Sequence, residues 1–426
     1  PMSSHVKDRE SIAVVGAGVA GLTAAHVLAS RHDVTVYEAE PRLGGHAHTH
    51  DVRAPDGSVV AVDTGFIVHN DRTYPLLRRL FAELEVAVSP TEMSMSIRHE
   101  ETGVEYAGGR GAIGFLARPR QLVRRDYRQL LLGVRRFHRL ATKFLATSAE
   151  DDLRTYGDFI TACGFPRAFV ELYAVPLVAC VWSTGTDRAL DHPARHLFTF
   201  LQHHGMLEIG NSPQWLTVEG GSRTYVDALA TRLDDVRVAT PVRRIMRHED
   251  SVEIVDATGG RATHDRVVVA THSDTALNLL ADATPLEKDV LGAIQYSDNE
   301  TVLHQDLTLL PHTRGVRSSW NYLVPMSSHS SAPIVTYWMN KLQGLPSKVP
   351  LLVTLNATDR IDPAKVIASM TYSHPVFDAV SVAAQRRLPS LSGGRTAFAG
   401  AYHGWGFHED GCRSGVAAAE ALGVSW

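Results

Sequence analysis

Cysteine is nearly absent from this chain: Cys163, Cys180 and Cys412 lie far apart and form no CxxC pair. That scarcity excludes a disulfide framework and a cysteine-built zinc site, and it fits a reducing cytoplasm. No apolar run reaches the ~18 residues a bilayer span needs. With only a polar stretch before the first apolar segment, no signal peptide is expected. Basic charge is not in excess, since the formal net charge is -4, so nucleic acid meets no global attraction. Internal repeats and low-complexity tracts are also missing. What remains is an ordinary globular composition, 44% hydrophobic and 21% charged over 426 residues. That length exceeds one usual core and predicts two interleaved domains.

The most informative stretch is Ile12 to Glu38, IAVVGAGVAGLTAAHVLASRHDVTVYE. Ile12–Val15 reads as a buried parallel strand, Gly16-x-Gly18-x-x-Gly21 as a phosphate turn, Leu22 to Ser30 as a helix, and Val34 to Tyr37 as the next strand. In such a βαβ unit, Gly16 makes the tight turn, Gly18 lets backbone approach a pyrophosphate, and Gly21 packs the helix against the strand. The helix N-terminus with Val19 and Ala20 then faces the phosphates. Glu38 ends the second strand, where a carboxylate can accept both hydroxyls of an adenosine ribose.

Ala39, Glu40, Pro41, Arg42, Leu43, Gly44, Gly45 and His46 follow directly. GAGVAGL, a strand ending in Glu38, and then RLGG together resemble the flavoprotein superfamily of amine oxidases, phytoene desaturases and protoporphyrinogen oxidases. The resemblance implies an α/β fold with a discontinuous Rossmann-like FAD-binding domain and an α+β substrate domain. It puts Gly44 and Gly45 beside the pyrophosphate and ring of a non-covalently held FAD, with Ala39, Arg42 and His46 close by. Val62 to Phe66 resembles the family's D-x-G segment, which adds Thr64 and Gly65. Thr217 to Tyr225 resembles its P-x-G-G segment, with Val218 in place of proline and Arg223 within reach of cofactor or substrate. Val242 takes the backbone position against adenine, and the strand ending in Ala270 and Thr271 matches the later FAD-domain strand.

The C-terminal GAYHGWGFHEDGCRSG completes the likeness, nominating Gly400, Gly404, Phe407, His408, Glu409, Asp410 and Gly411. The usual ribityl-binding acid is Ala401 here, so Glu409 or Asp410 is expected to supply that carboxylate. Cys412, at a helix start, predicts a lowered thiol pKa. With TGFIVHNDRTYP and VTYWMNKLQ, this stretch most resembles a bacterial subgroup of flavoproteins associated with cyclopropane-type fatty-acid methyltransferases. The expected FAD domain comprises residues 10–72, 213–288 and 391–426, and the substrate domain 73–212, helical and basic, plus 289–390, mostly sheet.

Between Arg118 and Lys143 stand Arg118, Arg120, Arg124, Arg125, Arg128, Arg135, Arg136, Arg139 and Lys143 against Asp126 alone. Leucines at helical spacing make this an amphipathic basic helix or helix pair. It is either a solvated outer face or a contact for an anionic partner, a membrane surface or a carrier protein. His46, His48 and His50 alternate on one face of an extended segment, but no further ligand completes a metal site, and none is expected. Catalytic candidates are His46, His69, Tyr322, Trp338, His403 and His408, with Trp405 beside them.

The predicted chemistry is hydride removal from a C–H bond, with an unsaturated or methylated acyl chain as the favoured substrate. A peroxide-producing amine oxidase and a non-catalytic flavin-bearing accessory of a lipid methyltransferase are the rivals. The expected location is cytoplasmic, with peripheral attachment to the inner membrane face as the extension of the basic helix.

Overall fold

The computed structural model describes residues 9–108, 112–208, 210–326 and 332–426. Its first layer is a five-stranded parallel sheet in the order Asp235–Arg237, Asp33–Tyr37, Ser11–Val15, Arg266–Val269, Thr396–Phe398. Counted along the chain this is order 3-2-1-4-5, a doubly wound arrangement whose strands are covered on both faces. That is why Ile12 to Val14 and Val267 to Val269 are continuously apolar and fully buried. The helices Val19–Leu28 and His408–Ala421 pack side by side on one face. Glycine sets their approach: a Cβ on Gly415 would lie 2.4 Å from the Ala20 carbonyl oxygen.

The second layer is a seven-stranded mixed sheet, in the order Val366–Val376, Gln295–His304, Leu352–Leu355, Ile334–Trp338, Trp320–Val324, Met95–His99, Val104–Gly108. Its last two strands come from the stretch expected to be helical. Leu-rich helical periodicity dominates that stretch overall, yet the alternation MSIRH and VEYAG is strand-like, and Met95–His99 pairs in parallel with Trp320–Val324.

A helical cluster covers this sheet, built on the 23-residue helix Arg125–Thr147. Its inner stripe of Tyr127, Leu130, Val134, Phe137 and Ala141 is buried at helical spacing against Phe159, Phe169 and Phe198. Gly133 belongs to that stripe because a Cβ there would sit 2.3 Å from the Phe169 ring. The chain then runs through a π-helical turn, Val170–Ala174, into the helix Val175–Trp182, which Ser183 ends in the left-handed region at φ 51°. No described helix is long and apolar enough to cross a membrane.

Candidate active site

A single cavity of about 1480 Å³ runs between the two layers. An ordinary ligand site occupies about 300–1,000 Å³, so this one has room for more than one small molecule. Its first arm is lined chiefly by backbone and small side chains: Gly16, Gly18, Val19, Ala20, Ala39, Gly45, Thr64, Gly65, Ala270, Thr271 and Gly400, with Glu38, Arg42 and Val242.

The turn that opens this arm admits only glycine. Gly16 has φ 102°, and a Cβ there would meet the Ala270 carbonyl oxygen at 2.7 Å. Gly45, at φ 58°, stands with a notional Cβ 3.0 Å from Gly18 Cα. Two glycine backbones thus face each other across the arm, leaving N–H groups bare for anionic oxygens. Glu38 Oε2 accepts the Ala17 N–H and Oε1 accepts the Glu40 N–H, both at 2.9 Å. These bonds fix the carboxylate and leave lone pairs for the hydroxyls of a ribose. Arg42 is spent locally, donating to the Gly45 carbonyl at 2.7 Å and thereby stapling the glycine turn. This cradle fits a dinucleotide.

Three histidines line the middle of the cavity. His46 reaches across to the seven-stranded sheet, its Nε2 3.2 Å from the Ser373 carbonyl oxygen, its ring 5.4 Å from His374 and 5.9 Å from His272. The carbonyl holds the proton on Nε2, so Nδ1 is the basic atom. Burial, with the neighbouring imidazoles, keeps His46 well below its ordinary pKa, and burial brings His374 down to about 4. All are neutral near pH 7 and able to accept a proton. Asn299 Nδ2 donates to His374 Nδ1 at 3.0 Å, so His374 carries its proton on Nε2. An aromatic wall of Trp182, Phe200, Trp405 and Phe407 completes this region; Trp182 Nε1 donates to the Trp405 carbonyl and Trp405 Nε1 to that of His196. His408 lies against it, stacked on Phe66 at 3.9 Å and bonded through Nε2 to the Tyr225 hydroxyl.

The second arm enters the helical cluster and is apolar: Met95, Ile97, Phe115, Leu131, Val134, Leu177 and Val181, with Tyr106, Tyr173, Trp320 and Tyr337. Tyr173 enters from the π-helical turn, a device common at functional sites. This arm ends at the surface with Leu116, Leu132 and Arg135.

Several expected site residues stand elsewhere. His69 is sealed among Phe66, Tyr74 and Phe81, its ring nitrogens unpartnered and its pKa pushed down to about 4 by burial. Tyr322 is buried in the helical core further along the strand from Trp320. Trp338 is turned to the opposite face by the strand's period of two, which brings Tyr337 to the cavity instead. His403 lies outside the lining, its Nδ1 on the Gly400 carbonyl at 3.0 Å.

Glu409 and Asp410 do not face the first arm either. Glu409 accepts the Leu76 and Leu77 N–H groups at the start of the helix Pro75–Glu83, and Asp410 accepts the Phe407 N–H and pairs with Arg413. Gly21, Gly44, Gly404 and Gly411 shape the site from behind. A Cβ on Gly21 would lie 1.8 Å from the Gly16 carbonyl oxygen, and one on Gly411 2.6 Å from Val19 Cγ1. Arg223 pairs with exposed Asp51 at 2.7 Å rather than reaching the cavity. Cys412 reverses its expectation: it is buried against Thr23, and desolvation pushes its thiol up to about 12, overriding the helix N-terminus. Among the described residues no group of three His, Cys, Asp or Glu is placed to hold a metal ion, and the His48 and His50 rings lie tilted against each other with centroids 4.2 Å apart.

Sequence reading passed over Tyr296, Tyr372 and His374. The signal for the last two was alternation: Tyr372 and His374 sit two apart on the long strand Val366–Val376, one per exposed pleat beside His46.

The family model for flavin containing amine oxidoreductase matches residues 19–304. The flavin-dependent L-tryptophan oxidase RebO of Lentzea aerocolonigenes is 28% identical over 276 residues, 59% of this chain and 55% of that protein. The chain therefore spans about half the length of that curated relative. The fold is shared with a CLA-producing fatty acid isomerase from P. acnes (TM-score 0.69, 18% identity, 96% of this chain and 98% of that one). It is shared equally with cyclohexylamine oxidase from Brevibacterium oxydans (TM-score 0.69, 16% identity, 97% and 98%). The glycine cradle, the acid that ends the second strand and the match over two thirds of the sequence agree, and the chain belongs to the flavin-containing amine oxidoreductase family.

Proposed function

We propose that this protein is an FAD-dependent oxidoreductase that removes hydride from a C–H bond of a fatty acyl chain. Gly16, Gly18, Glu38, Gly45, Val242 and Thr271 would hold the dinucleotide non-covalently. The burial of Cys412 against Thr23, outside the cavity lining, supports non-covalent binding. Bound there, the flavin supplies a two-electron acceptor for the hydride, and oxygen or another oxidant takes the electrons onward.

The chain's own residues do the rest. The second arm binds and orients an extended apolar chain and excludes water from the reacting carbon. A neutral imidazole accepts the proton lost from the neighbouring carbon, leaving a double bond. His46 Nδ1 is the atom the hydrogen bonding leaves free for it.

The observation that carries this reading is the apolar second arm. The lining acids Glu38 and Glu40 follow the nucleotide-side strand, and Glu208 belongs to the stretch 205–212. None of the described residues of the second arm is a carboxylate, so an ammonium group there would lack a counter-charge. The fold shared with a fatty acid isomerase points the same way. The aromatic wall and the oxidase relatives favour the second reading, amine oxidation.

The test is anaerobic titration of the flavin-loaded enzyme with acyl and amine substrates. Bleaching of the flavin by an unsaturated or methylated fatty acyl compound supports the lipid reading. Bleaching by amines alone, with peroxide formed on admitting oxygen, replaces it. In the lipid reading the basic helix rests on an anionic membrane face, and liposome sedimentation at two salt concentrations tests this. Equal sedimentation with neutral and anionic vesicles removes that attachment.

A further inference from the structure

The outer end of the second arm has a composition of its own. Two consecutive turns of the basic helix line it: Leu131 and Val134 inside, Leu132 and Arg135 at the rim, and His138 against the Tyr173 hydroxyl, so the helix follows the arm for about 10 Å. Leu132 is 76% exposed and Leu116 across the opening 46%, an apolar lip beside a cation. Arg135 has no ion-pair or hydrogen-bond partner among the described residues, whereas Arg124 and Arg136 on the same stretch are both engaged. Of the acids in the described lining, Glu38 and Glu40 belong to the nucleotide end and Glu208 to the stretch 205–212. Leucine at the lip, an uncommitted guanidinium over it and an apolar tube behind make a receptor for a molecule with an anionic end and a long apolar tail.

We propose that Arg135 binds the anionic head group, carboxylate or phosphate, of an amphiphile that enters tail first toward His46. This rests on the lipid reading above and adds to it the polarity and direction of the substrate. A guanidinium pairs two oxygens of either head group at once, so the two sources share one chemistry. Pairing at the rim also fixes the depth of insertion, so the carbon presented to the histidine region is counted from the head group.

The test measures binding of oleic acid, its methyl ester and oleylamine to the flavin-loaded full chain by calorimetry. In the wild type the acid binds about tenfold more tightly than the ester, the amine binds most weakly, and high salt removes the difference. In Arg135→Gln the acid falls to the affinity of the ester while the ester itself is unchanged. The double variant R135Q/R139Q guards against Arg139, one turn on, taking over.

A short-chain phosphatidylglycerol in the same series identifies the source. If it loses more affinity than oleic acid in Arg135→Gln, the head group is a lipid phosphate; the reverse order makes it a free fatty acid. Equal binding of acid and ester by the wild type, or an equal loss of both in Arg135→Gln, overturns the proposal and leaves the lipid reading standing. Failure of the wild type to bind any of these amphiphiles removes both.

Discussion

The two arms of the cavity are made from different materials. The nucleotide arm is backbone, small side chains and one fixed carboxylate, supplied by a few contiguous turns that close on each other, Gly18 against Gly45 and Gly16 against Ala270. The substrate arm is large side chains drawn from Met95, Phe115, Leu131, Tyr173, Leu177, Trp320 and Tyr337, which lie on seven separate elements or turns. A binding surface of peptide N–H groups tolerates no added atom, while one of apolar side chains can be reshaped by exchanging them. In the proposed reading the first arm is therefore constrained to one ligand, and the second sets specificity.

The sharpest way to break this contrast is Gly16→Val. The substitution forces a branched residue to φ 102° and against the Ala270 carbonyl, at a cost of at least about 2 kcal/mol. The purified variant should carry no visible flavin absorbance and melt well below the wild type. A coloured variant with wild-type melting would refute the backbone cradle.

Filling the other arm should do the opposite. Val181→Trp, projecting into the cavity, should leave flavin content and melting intact but cut kcat/KM for long-chain substrates about 100-fold, close to 3 kcal/mol. Short substrates should be spared, and steady-state kinetics against chain length decides this.

A third measurement probes the seam between the C-terminal helix and the helix Pro75–Glu83. Burial raises Glu409 to about 7 although two backbone N–H groups hold its carboxylate. Because the folded value lies above the unfolded one, the stability it contributes is complete below about pH 4.5 and is lost as pH rises through about 7, some 2–3 kcal/mol in all. The difference in urea midpoint between the wild type and Glu409→Gln should shift against the wild type as pH rises through this range.

The smallest effect is expected from Arg223→Ala. Its pair with Asp51 is solvent-exposed and worth about 0–1 kcal/mol. Flavin content and turnover should not change, and a marked loss of flavin would return Arg223 to the site.

Legibility in the sequence follows the same division. Gly16, Gly18, Glu38 and Gly45 could be read directly, because a phosphate turn needs particular backbone angles at fixed spacing. His46 was readable from adjacency to the glycine pair. Trp338 and His69 were misplaced because both sit on strands, where a shift of one residue exchanges cavity for core, and Tyr322 because it shares the face of Trp320 but lies further along the strand in the helical core. Glu409 and Asp410 were misread for another reason. An acid near a flavin motif looks like a ligand, but these two are consumed by helix N-terminal N–H groups. Cys412 followed the helix dipole on paper, whereas desolvation, which only packing creates, outweighs it.

Taken alone, the amino-acid order determined the dinucleotide turn, the acid after the second strand and the amphipathic basic helix, since each depends on contacts within about one or two turns of chain. Tertiary structure alone decided which aromatics face the cavity, that His46 meets His272 and His374, and that Arg135 stands at the open end of an apolar arm. Those juxtapositions join residues up to hundreds of positions apart, and only the pairing of strands and the packing of the helical cluster on the sheet select them.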